Sequence, residues 1–373
     1  MKAYVVGGAV RDELLGLSVS DHDWVVVGAT PEQMAASGLR PVGKDFPVFL
    51  HPQTHEEYAL ARTERKSGRG YKGFTVYAAP DVTLEQDLER RDLTINAMAR
   101  TEDGAVIDPF GGRRDLEQGV LRHVSPAFAD DPVRILRVAR FAARFEFRVA
   151  EETAALMRAM VKAGEVEHLV AERVWQEFAK GLCEPHPQRM FEVLEGCGAL
   201  VPVLPEVAAM LSDAARRSAY FAALGRAAQA RASLAVRFAL IAWHMPGERE
   251  PSTSALCERL RAPNEVRDLA LIACRCRALL ERAHLAAPAS LLEVLKRADA
   301  FRRRERFGEL LAVTRFADPR PQAALGLERL ERALDAAAAV DAGAIAARAA
   351  ASVEIPALLD QARAEAIAAA QRN

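Results

Sequence analysis

The spacing of apolar positions changes along the chain. Up to about His123, short apolar runs between turn residues predict β-strands at Ala3–Val6, Trp24–Val27, Val48–His51, Glu57–Ala61, Thr75–Ala78 and Val106–Asp108. Short helices are predicted near Pro31–Ala36 and Thr83–Arg90. From Asp130 onward the spacing is helical and no convincing strand follows, with helices predicted at Val133–Phe145, Glu151–Val161, Glu172–Leu182 and Gln188–Cys197. The pattern therefore predicts an α+β head followed by an all-α remainder.

The length of the chain, 373 residues, indicates two or three domains. We place a head at residues 1–125, a helical neck at 126–200, and a helical body and tail at 201–373. The alanine-rich stretch Ala323–Ala370 is typical of peripheral helices.

The composition of the chain indicates its cellular compartment and limits the kinds of partner that it can bind. The formal net charge is -1, but arginines occur in short clusters, so an acidic partner is not excluded. The five cysteines contain no CxxC pair, which predicts buried thiols in a reducing cytosol. We find no signal peptide and no apolar stretch long enough to span a membrane. The sequence thus predicts a cytoplasmic protein with no membrane association.

The stretch Val5–Val27 is the most informative one. Gly7-Gly8 permits a tight turn before a predicted helix at Ala9–Leu15, whose first N–H groups can meet a phosphate. In Asp21-His22-Asp23, alternation on a strand would place both carboxylates on one face. Two such charges about 5 Å apart repel by roughly 3 kcal/mol, which a divalent cation such as Mg²⁺ relieves. A lone DxD is more often a solvated strand end, but its position after a glycine turn favours a metal site.

Two further segments carry positive charge. Arg62–Phe74, reading RTERKSGRGYKGF, predicts a mobile basic loop that is either a plain surface loop or a contact for a polyanion. Arg90-Arg91-Asp92 places two guanidiniums beside a carboxylate, an arrangement that can clamp a triphosphate or form a surface ion pair. We choose Arg91 for the phosphate contact.

The segment DPVRILRVAR, from Asp131 to Arg140, combines an acid with regularly spaced arginines. A carboxylate at Asp131 and a guanidinium at Arg134 could read the amine and acceptor edge of cytosine or adenine. Each mismatched buried group costs about 1–3 kcal/mol, so two would exclude uracil and guanine about a hundredfold. Arg137 and Arg140 would then contact phosphates. Taken alone, the segment is also compatible with a capped amphipathic helix.

Together these segments resemble the bacterial class II tRNA nucleotidyltransferases, the CCA-adding enzymes of the polymerase-β-like superfamily. The resemblance covers roughly residues 1–200, in family order, and rests on VGGAVRD, DHD, GKDFPVF, RTERKSGRGYKGF, RRDLTINA and DDPVRILRVARF. It implies a nucleotidyltransferase head, Mg²⁺ as cofactor, CTP and ATP as substrates, and the tRNA acceptor arm as partner. The residue roles that it implies are nucleotide binding by Gly8 and Arg11, metal binding by Asp21 and Asp23, ATP or CTP binding by Arg91, Arg137 and Arg140, and base recognition by Asp131 and Arg134.

The chain departs from the long form of this family, which carries a metal-dependent phosphohydrolase domain with a histidine–aspartate motif. At the matching place, RFALIAWHMPG, His244 is followed by Met245. A metal site needs its full ligand set, so we predict that this hydrolase activity is absent and that His244 is an ordinary, partly buried histidine.

The predicted reaction is attack by a tRNA 3′ hydroxyl on CTP, twice, and then on ATP, with release of pyrophosphate. Two alternatives stay open: a poly(A) polymerase of the same superfamily, which usually carries a GRRF-type motif where this chain has Gly43-Lys44-Asp45-Phe46, and a non-catalytic tRNA-binding module.

Candidate contacts to RNA phosphates in the helical remainder are Arg275, Arg277, Arg302, Arg303, Arg304 and Arg306.

Overall fold

A computed structural model describes residues 1–19, 21–42, 48–66, 74–348 and 352–372, with only the backbone for residues 64–66, 74–75 and 348. It divides into two compact units. The N-terminal unit comprises Met1–Gly181 and Arg189–Val203, and the C-terminal unit comprises Leu182–Gln188 and Leu204–Asn373. The predicted head lies in the N-terminal unit, as does the predicted neck except for Leu182–Gln188, and the three-part division of the chain stays a prediction.

All described strands lie in the N-terminal unit. They are β1 (Lys2–Val6), β2 (Asp23–Val27), β3 (Arg40–Val42), β4 (Val48–Leu50), β5 (Glu57–Leu60), β6 (Thr63–Lys66), β7 (Phe74–Tyr77), β8 (Ala99–Arg100), β9 (Val106–Ile107), β10 (Val120–Leu121) and β11 (Arg148–Val149). The main mixed sheet has the order β3-β4-β5-β2-β1-β8-β9. Each predicted strand is present, within two residues of its predicted ends.

The register of the sheet brings three strand ends to one edge. β1 and β2 are antiparallel with Val6 opposite Asp23, and β2 and β5 are parallel with Asp23 opposite Glu57. Both faces of the sheet are covered, because Val25 belongs to one buried cluster and Val26 to another. A sheet buried on both sides explains why its central strands read as continuous apolar runs.

Two predictions about strands were wrong. Thr63–Lys66, assigned to a loop, pairs with β7 in a two-stranded sheet, and pairing of the backbone needs no apolar alternation. Arg148–Val149, in the part expected to be all helical, pairs in parallel with β10. A strand of two residues is too short to show a period.

The helices of the N-terminal unit follow the predicted pattern closely. They are α1 (Gly8–Leu14), α2 (Pro31–Ala36), α3 (Leu84–Glu89), α4 (Gly112–Glu117), α5 (Val133–Phe145), α6 (Glu151–Lys162), α7 (Ala171–Cys183), α8 (Gln188–Gly196) and α9 (Leu200–Val203). In α5, Ile135, Val138 and Phe141 are buried as expected. Thr83 caps α3 through a reciprocal bond with Gln86, which fixes where that helix starts.

The described part of the C-terminal unit is helical. Its helices are α10 (Pro205–Leu211), α11 (Ala214–Gln229), α12 (Leu234–His244), α13 (Arg249–Leu260), α14 (Asn264–Glu281), α15 (Pro288–Arg297), α16 (Arg304–Ala317), α17 (Pro321–Ala338), α18 (Ala342–Arg348) and α19 (Ile355–Ala370). α12 is the central helix, buried from Val236 to His244 and packed against α11, α13, α14 and α16. Among the described residues, none of these helices is both long and apolar enough to cross a bilayer.

Candidate active site

A cleft of about 590 Å³ in the N-terminal unit contains eight of the nine predicted site residues, and Asp21 is not among its lining residues. The cleft is lined by nine arginines, namely Arg11, Arg62, Arg90, Arg91, Arg134, Arg137, Arg140, Arg144 and Arg173. Its lining carboxylates are Asp23, Glu57, Asp92 and Asp131. This excess of positive charge at a concave surface attracts a polyanion.

The glycine turn forms one wall of the cleft. Gly7 follows β1 with φ +69°, and Gly8 begins α1. A Cβ atom added to Gly7 would lie 2.8 Å from Nη1 of Arg91, so a side chain there would displace the guanidinium. The turn therefore has glycine both for its backbone angle and for the close approach of an arginine.

Arg11 is held rigidly beside this turn. It is 4% exposed, its Nε and Nη2 donate to Asp12 at 2.9 and 2.8 Å, and its Nη1 donates to the Asn96 side chain. Its guanidinium lies 5.1 Å from the ring centroids of both Phe141 and Phe145. Burial lowers the pKa of Arg11, which Asp12 opposes. An arginine nevertheless stays charged in a protein, so this is a fixed cation.

The acidic edge differs in part from the prediction. Asp23 is the first residue of β2 and lines the cleft, whereas Asp21 precedes the strand. The strand predicted at Trp24–Val27 begins one residue earlier, at Asp23, where its ladder with β1 ends, so Asp21 lies before the strand and alternation along the strand does not relate the two carboxylates. Glu57, which the sequence did not single out, lies opposite Asp23 in the register and lines the same cleft. Asp21, Asp23 and Glu57 are all exposed.

Arg91 lines the cleft and is oriented from behind. Its Nη2 donates to Asp87 at 3.2 Å and its Nη1 to the Asn96 carbonyl at 3.4 Å. Arg90 donates to the other oxygen of Asp87 at 2.7 Å. Burial raises the pKa of Asp87, but the charges of Arg90 and Arg91 outweigh burial and hold it below its usual value. The carboxylate that orients this arginine pair is therefore Asp87 and not the neighbouring Asp92.

Asp92 instead orients Arg137 from the neck helix. Arg137 Nε donates to Asp92 at 2.7 Å, and Asn96 and the Leu93 N–H donate to the same carboxylate at 3.0 and 2.8 Å. Burial opposes ionisation, but the charge of Arg137 and these hydrogen bonds hold the pKa of Asp92 at about 2. Asp92 raises the pKa of Arg137 in return. The pair thus stays ionised throughout the neutral range.

Arg140 is bound to a carboxylate of α7. Its Nε donates to Glu177 at 2.6 Å, and its guanidinium lies 4.4 Å from the centroid of Phe141. Glu177 also lies 3.7 Å from Arg137, so one carboxylate connects two arginines that the sequence assigned to phosphates. This contact joins α5 to α7.

The predicted base-reading pair lies in the same cleft. Arg173 of α7 donates twice to Asp131, at 2.9 and 2.7 Å, and the Val133 N–H donates at 3.2 Å. Arg134 donates to the backbone carbonyls of Ala127 at 2.9 Å and Arg90 at 2.6 Å. These bonds fix both side chains on the wall of the cleft, Asp131 through a bidentate partner.

Other predicted features lie outside the cleft or outside the described residues. Residues 67–73 of the basic segment and 43–47 of the GKDFP segment are not described. His244 is 7% exposed, and its Nδ1 lies 2.8 Å from the Leu240 carbonyl of the preceding turn. The predicted buried histidine is confirmed, although it is more buried than expected.

Comparison with known proteins agrees with this architecture. Residues 3–122 match the family described as the Poly A polymerase head domain, and residues 146–211 match one described as a probable RNA and SrmB-binding site of polymerase A. The Multifunctional CCA protein of Aromatoleum aromaticum is 54% identical over 404 residues, covering 99% of this chain and 98% of the relative. That of Burkholderia pseudomallei is 56% identical over 386 residues, covering 93% of each chain.

A solved structure is similar over most of its length. The Bacillus stearothermophilus CCA-adding enzyme in complex with CTP aligns with a TM-score of 0.72 at 25% identity, covering 96% of this chain and 87% of that one. Fold and cleft thus define a nucleotidyltransferase with a polymerase-type head. With relatives above half identity along almost the whole chain, it belongs to the bacterial class II CCA-adding enzymes.

Proposed function

We propose that this protein adds C, C and A to the 3′ end of tRNA, using CTP and ATP and releasing pyrophosphate. The observation that carries the proposal is the cleft. An acidic edge, a glycine turn and arginines oriented by buried carboxylates surround a space next to the Asp131–Arg134 pair. This combination suits a nucleoside triphosphate whose base is recognised by protein.

The triphosphate would lie along arginines of α1 and α5 and along Arg91, which follows the end of α3. Arg11, Arg91, Arg137 and Arg140 each have an orienting partner behind them, so they lose little side-chain entropy on binding. The N–H groups that follow Gly8 add neutral donors. Phosphoryl transfer needs positioning and charge stabilisation more than covalent help, and this wall supplies both.

The acidic edge would hold Mg²⁺. Asp21, Asp23 and Glu57 offer hard carboxylate oxygens, which suit Mg²⁺ better than a soft metal. Among the described residues no three potential ligands already surround one point, so triphosphate oxygens and water would complete the shell, as is common for Mg²⁺. The ion would activate the attacking hydroxyl and stabilise the leaving oxygen. Asp23 and Glu57 would then hold that charge at the acidic edge of the cleft.

Base selection would rest on Asp131 and Arg134. The carboxylate of Asp131 uses three of its roughly four acceptor positions on protein donors, which leaves one for an exocyclic amine. Cytosine and adenine present an amine beside a ring acceptor, whereas uracil and guanine present the reverse. Arg134→Ala should therefore relax selection against UTP, and unchanged selectivity would contradict base reading by this pair.

The RNA would contact the helical part of the chain. Residues 146–211 match a family described as a probable RNA-binding site, which supports contact with tRNA there. The arginines predicted to contact RNA phosphates already have partners in part: Arg275 donates to Glu250 at 2.9 Å and Arg306 to the Ala298 carbonyl at 3.0 Å.

One assay separates the three candidate functions. Purified protein is incubated with Mg²⁺ and a tRNA lacking its last three nucleotides, with CTP and ATP singly and together. Addition of C, C and A that then stops supports our proposal. Unlimited addition of A indicates a poly(A) polymerase, and no addition indicates a binding module.

We further propose that the chain has no metal-dependent phosphohydrolase activity. The ring of His244 is buried against Tyr220 at 5.7 Å and bound to its own helix, an unsuitable position for a metal ligand. The alignment with the Aromatoleum protein spans 404 positions, more than the 373 residues here, so segments of that relative have no counterpart in this chain. Hydrolysis of bis-p-nitrophenyl phosphate in the presence of Mg²⁺, Mn²⁺ or Ni²⁺, at a rate above that of the His244→Ala variant, would contradict the proposal.

A further inference from the structure

Four helices of the C-terminal unit meet where α12 ends. The His244 ring at this end packs edge-on against Tyr220 of α11. Thr253 of α13 lies 3.2 Å from the Cys274 sulfur of α14, and that sulfur lies 3.5 Å from the Ala242 carbonyl of α12. These contacts place the neighbouring turns of α11, α13 and α14 around one point.

Three half-buried arginines lie on those turns. Arg216 precedes Tyr220 by one turn, Arg249 begins α13 one turn before Thr253, and Arg277 follows Cys274 by about one turn. We call them the α11–α14 arginine cluster.

The pKa values of His244 and Arg249 indicate that the three arginines of the cluster lie close together. Burial first, and then the charges of Arg277, Arg226 and Arg216, lower the pKa of His244 to about 4. The pKa of Arg249 is lowered by burial first, then by the charge of Arg277, and to a smaller extent by the charge of Arg216. Arg226 itself donates to the Phe316 carbonyl at 3.0 Å, so it is already engaged.

The cluster is short of negative charge. Arg277 donates to Glu281 at 2.7 Å and to the Trp243 carbonyl. The Nε of Arg249 is buried, and no atom of the described residues accepts a hydrogen bond from it. Among the described residues, Arg216 has no side-chain partner, and the Asp213 carboxylate accepts from its backbone N–H at 2.8 Å. This differs from the cleft, where most of the described arginines contact a carboxylate, among them Arg11, Arg90, Arg91, Arg137, Arg140 and Arg173.

A bound anion would satisfy these groups. A buried cationic donor without a partner is costly, and that cost falls when an acceptor is supplied. The N-terminus of α13 adds positive potential, because Glu248 at its cap makes no side-chain bond to the first turn and the first-turn carboxylate, Glu250, accepts from Arg275 outside the cluster. Guanidiniums bind phosphate well because its oxygens accept their paired N–H groups.

We propose that Arg216, Arg249 and Arg277 form a phosphate-binding site in the C-terminal unit, in addition to the nucleotide cleft, whose lining residues all belong to the N-terminal unit. The phosphate could belong to an RNA backbone or be a free ion. The site does not depend on the proposed reaction.

The first experiment measures phosphate binding directly. Full-length protein is saturated with CTP to fill the cleft and then titrated with radiolabelled inorganic phosphate by equilibrium dialysis. Arg249→Gln and Arg216→Gln should each weaken binding at least fivefold. The matched control is Arg315→Gln, which removes one positive charge from an exposed position of the same unit, 3.9 Å from Glu331. It should change binding by less than a factor of two.

The second experiment identifies the source of the phosphate. The affinity for a tRNA lacking CCA is measured between 50 and 200 mM salt. If the site holds an RNA phosphate, Arg249→Gln should reduce the slope of log affinity against log salt by about 1, and the control should not. If the site holds a free ion, the slope should match the control while binding of inorganic phosphate still falls.

Wild-type phosphate affinity and wild-type salt slope in both variants, with unchanged melting curves, would overturn the proposal. Nucleotide addition at saturating tRNA should stay unchanged in Arg249→Gln. A wild-type protein that binds phosphate through the cluster but adds no nucleotide would refute the proposed function and leave this site intact.

Discussion

Two groups of arginines in this protein differ in how many of their guanidiniums contact a carboxylate. In the cleft, carboxylates orient the guanidiniums: Asp12 holds Arg11, Asp92 holds Arg137, and Glu177 holds Arg140. In the α11–α14 arginine cluster, the described residues supply one carboxylate, Glu281, which contacts Arg277.

The difference separates two ways of binding phosphate. An oriented guanidinium gives up little entropy on binding and keeps a fixed geometry, which catalysis requires. A guanidinium without a carboxylate keeps its full charge for the ligand but not a fixed direction, which is enough for holding a backbone. We therefore expect carboxylate substitutions to have opposite effects at the two places.

The largest expected effect comes from the acidic edge. Asp23→Asn should lower nucleotide addition at least about a thousandfold, because the cleft loses its metal-holding charge. Its affinity for tRNA should stay within twofold of wild type, as measured by filter binding. Glu102→Gln removes an exposed carboxylate of the same unit and serves as the control. Normal turnover in Asp23→Asn would contradict the role given to this edge.

Removing an orienting carboxylate should have the next largest effect. Asp92→Asn should reduce kcat/KM for CTP and ATP by about ten- to a hundredfold, because a hydrogen bond between charged groups contributes about 1.5–3 kcal/mol. If Asp92 acts through Arg137, the double variant with Arg137→Gln should be little worse than either single variant. Additive losses would show that the two side chains act separately.

The same carboxylate should make stability depend on pH. The pKa of Asp92 lies at about 2 in the folded protein against an ordinary value of 3.8, so its contribution is present above about pH 4 and lost as the pH falls towards 2. The contribution is about 2 kcal/mol. Urea unfolding at pH 5 and pH 3 should show the gap between wild type and Asp92→Asn closing at the lower pH. A constant gap would exclude this linkage.

Arg173 tests the base side of the cleft. Arg173→Gln removes the bidentate partner of Asp131, so the carboxylate loses its fixed direction and discrimination against UTP should fall about tenfold. Arg173→Lys should recover only part of it, because an ammonium cannot form the paired contact. Competition between CTP and UTP measures the ratio. Loss of rate without loss of selectivity would mean that Arg173 is merely structural.

The smallest expected effect is in the α11–α14 arginine cluster, where removing a carboxylate should strengthen binding instead of weakening function. Glu281→Gln frees Arg277 from its carboxylate and should strengthen binding of inorganic phosphate about two- to threefold. Equilibrium dialysis with CTP present measures it. Weaker binding would show that Glu281 orients Arg277, as the cleft carboxylates do, and the contrast between the two groups would fail.

The sequence predicted what depends on local pattern. Helix α5 has the predicted ends, Val133 and Phe145, because its apolar spacing is continuous over its whole length. Strands β1 and β2 also matched, since each is a continuous apolar run that ends at a glycine, Gly7 or Gly28. Strands β6 and β11 were missed because pairing of the backbone stabilises them without an apolar signal.

The partners of the site residues were beyond the reach of sequence pattern. Asp92 and Arg137 are 45 positions apart, and Asp131 and Arg173 are 42 apart, so no helical or strand period connects them. Glu57 gave no local signal, and only the sheet register brings it beside Asp23. The prediction from Arg90-Arg91-Asp92 was wrong in one respect. Their adjacency suggested that Asp92 pairs with the two arginines, whereas in the structure Arg90 and Arg91 both donate to Asp87. A single sequence shows which residue types are present, whereas their pairing follows from topology.

The contacts of Asp12 bear on the order in which the protein folds during synthesis. It accepts bonds from Arg11, its neighbour in the chain, and from Arg144 at 2.9 Å, 132 residues later. During synthesis the glycine turn leaves the ribosome first, yet the guanidinium that completes its anchor follows only after α5 is almost finished. The nascent head therefore exposes an incompletely braced pocket for more than a hundred rounds of elongation, and it gains its final rigidity when the neck helix folds against it.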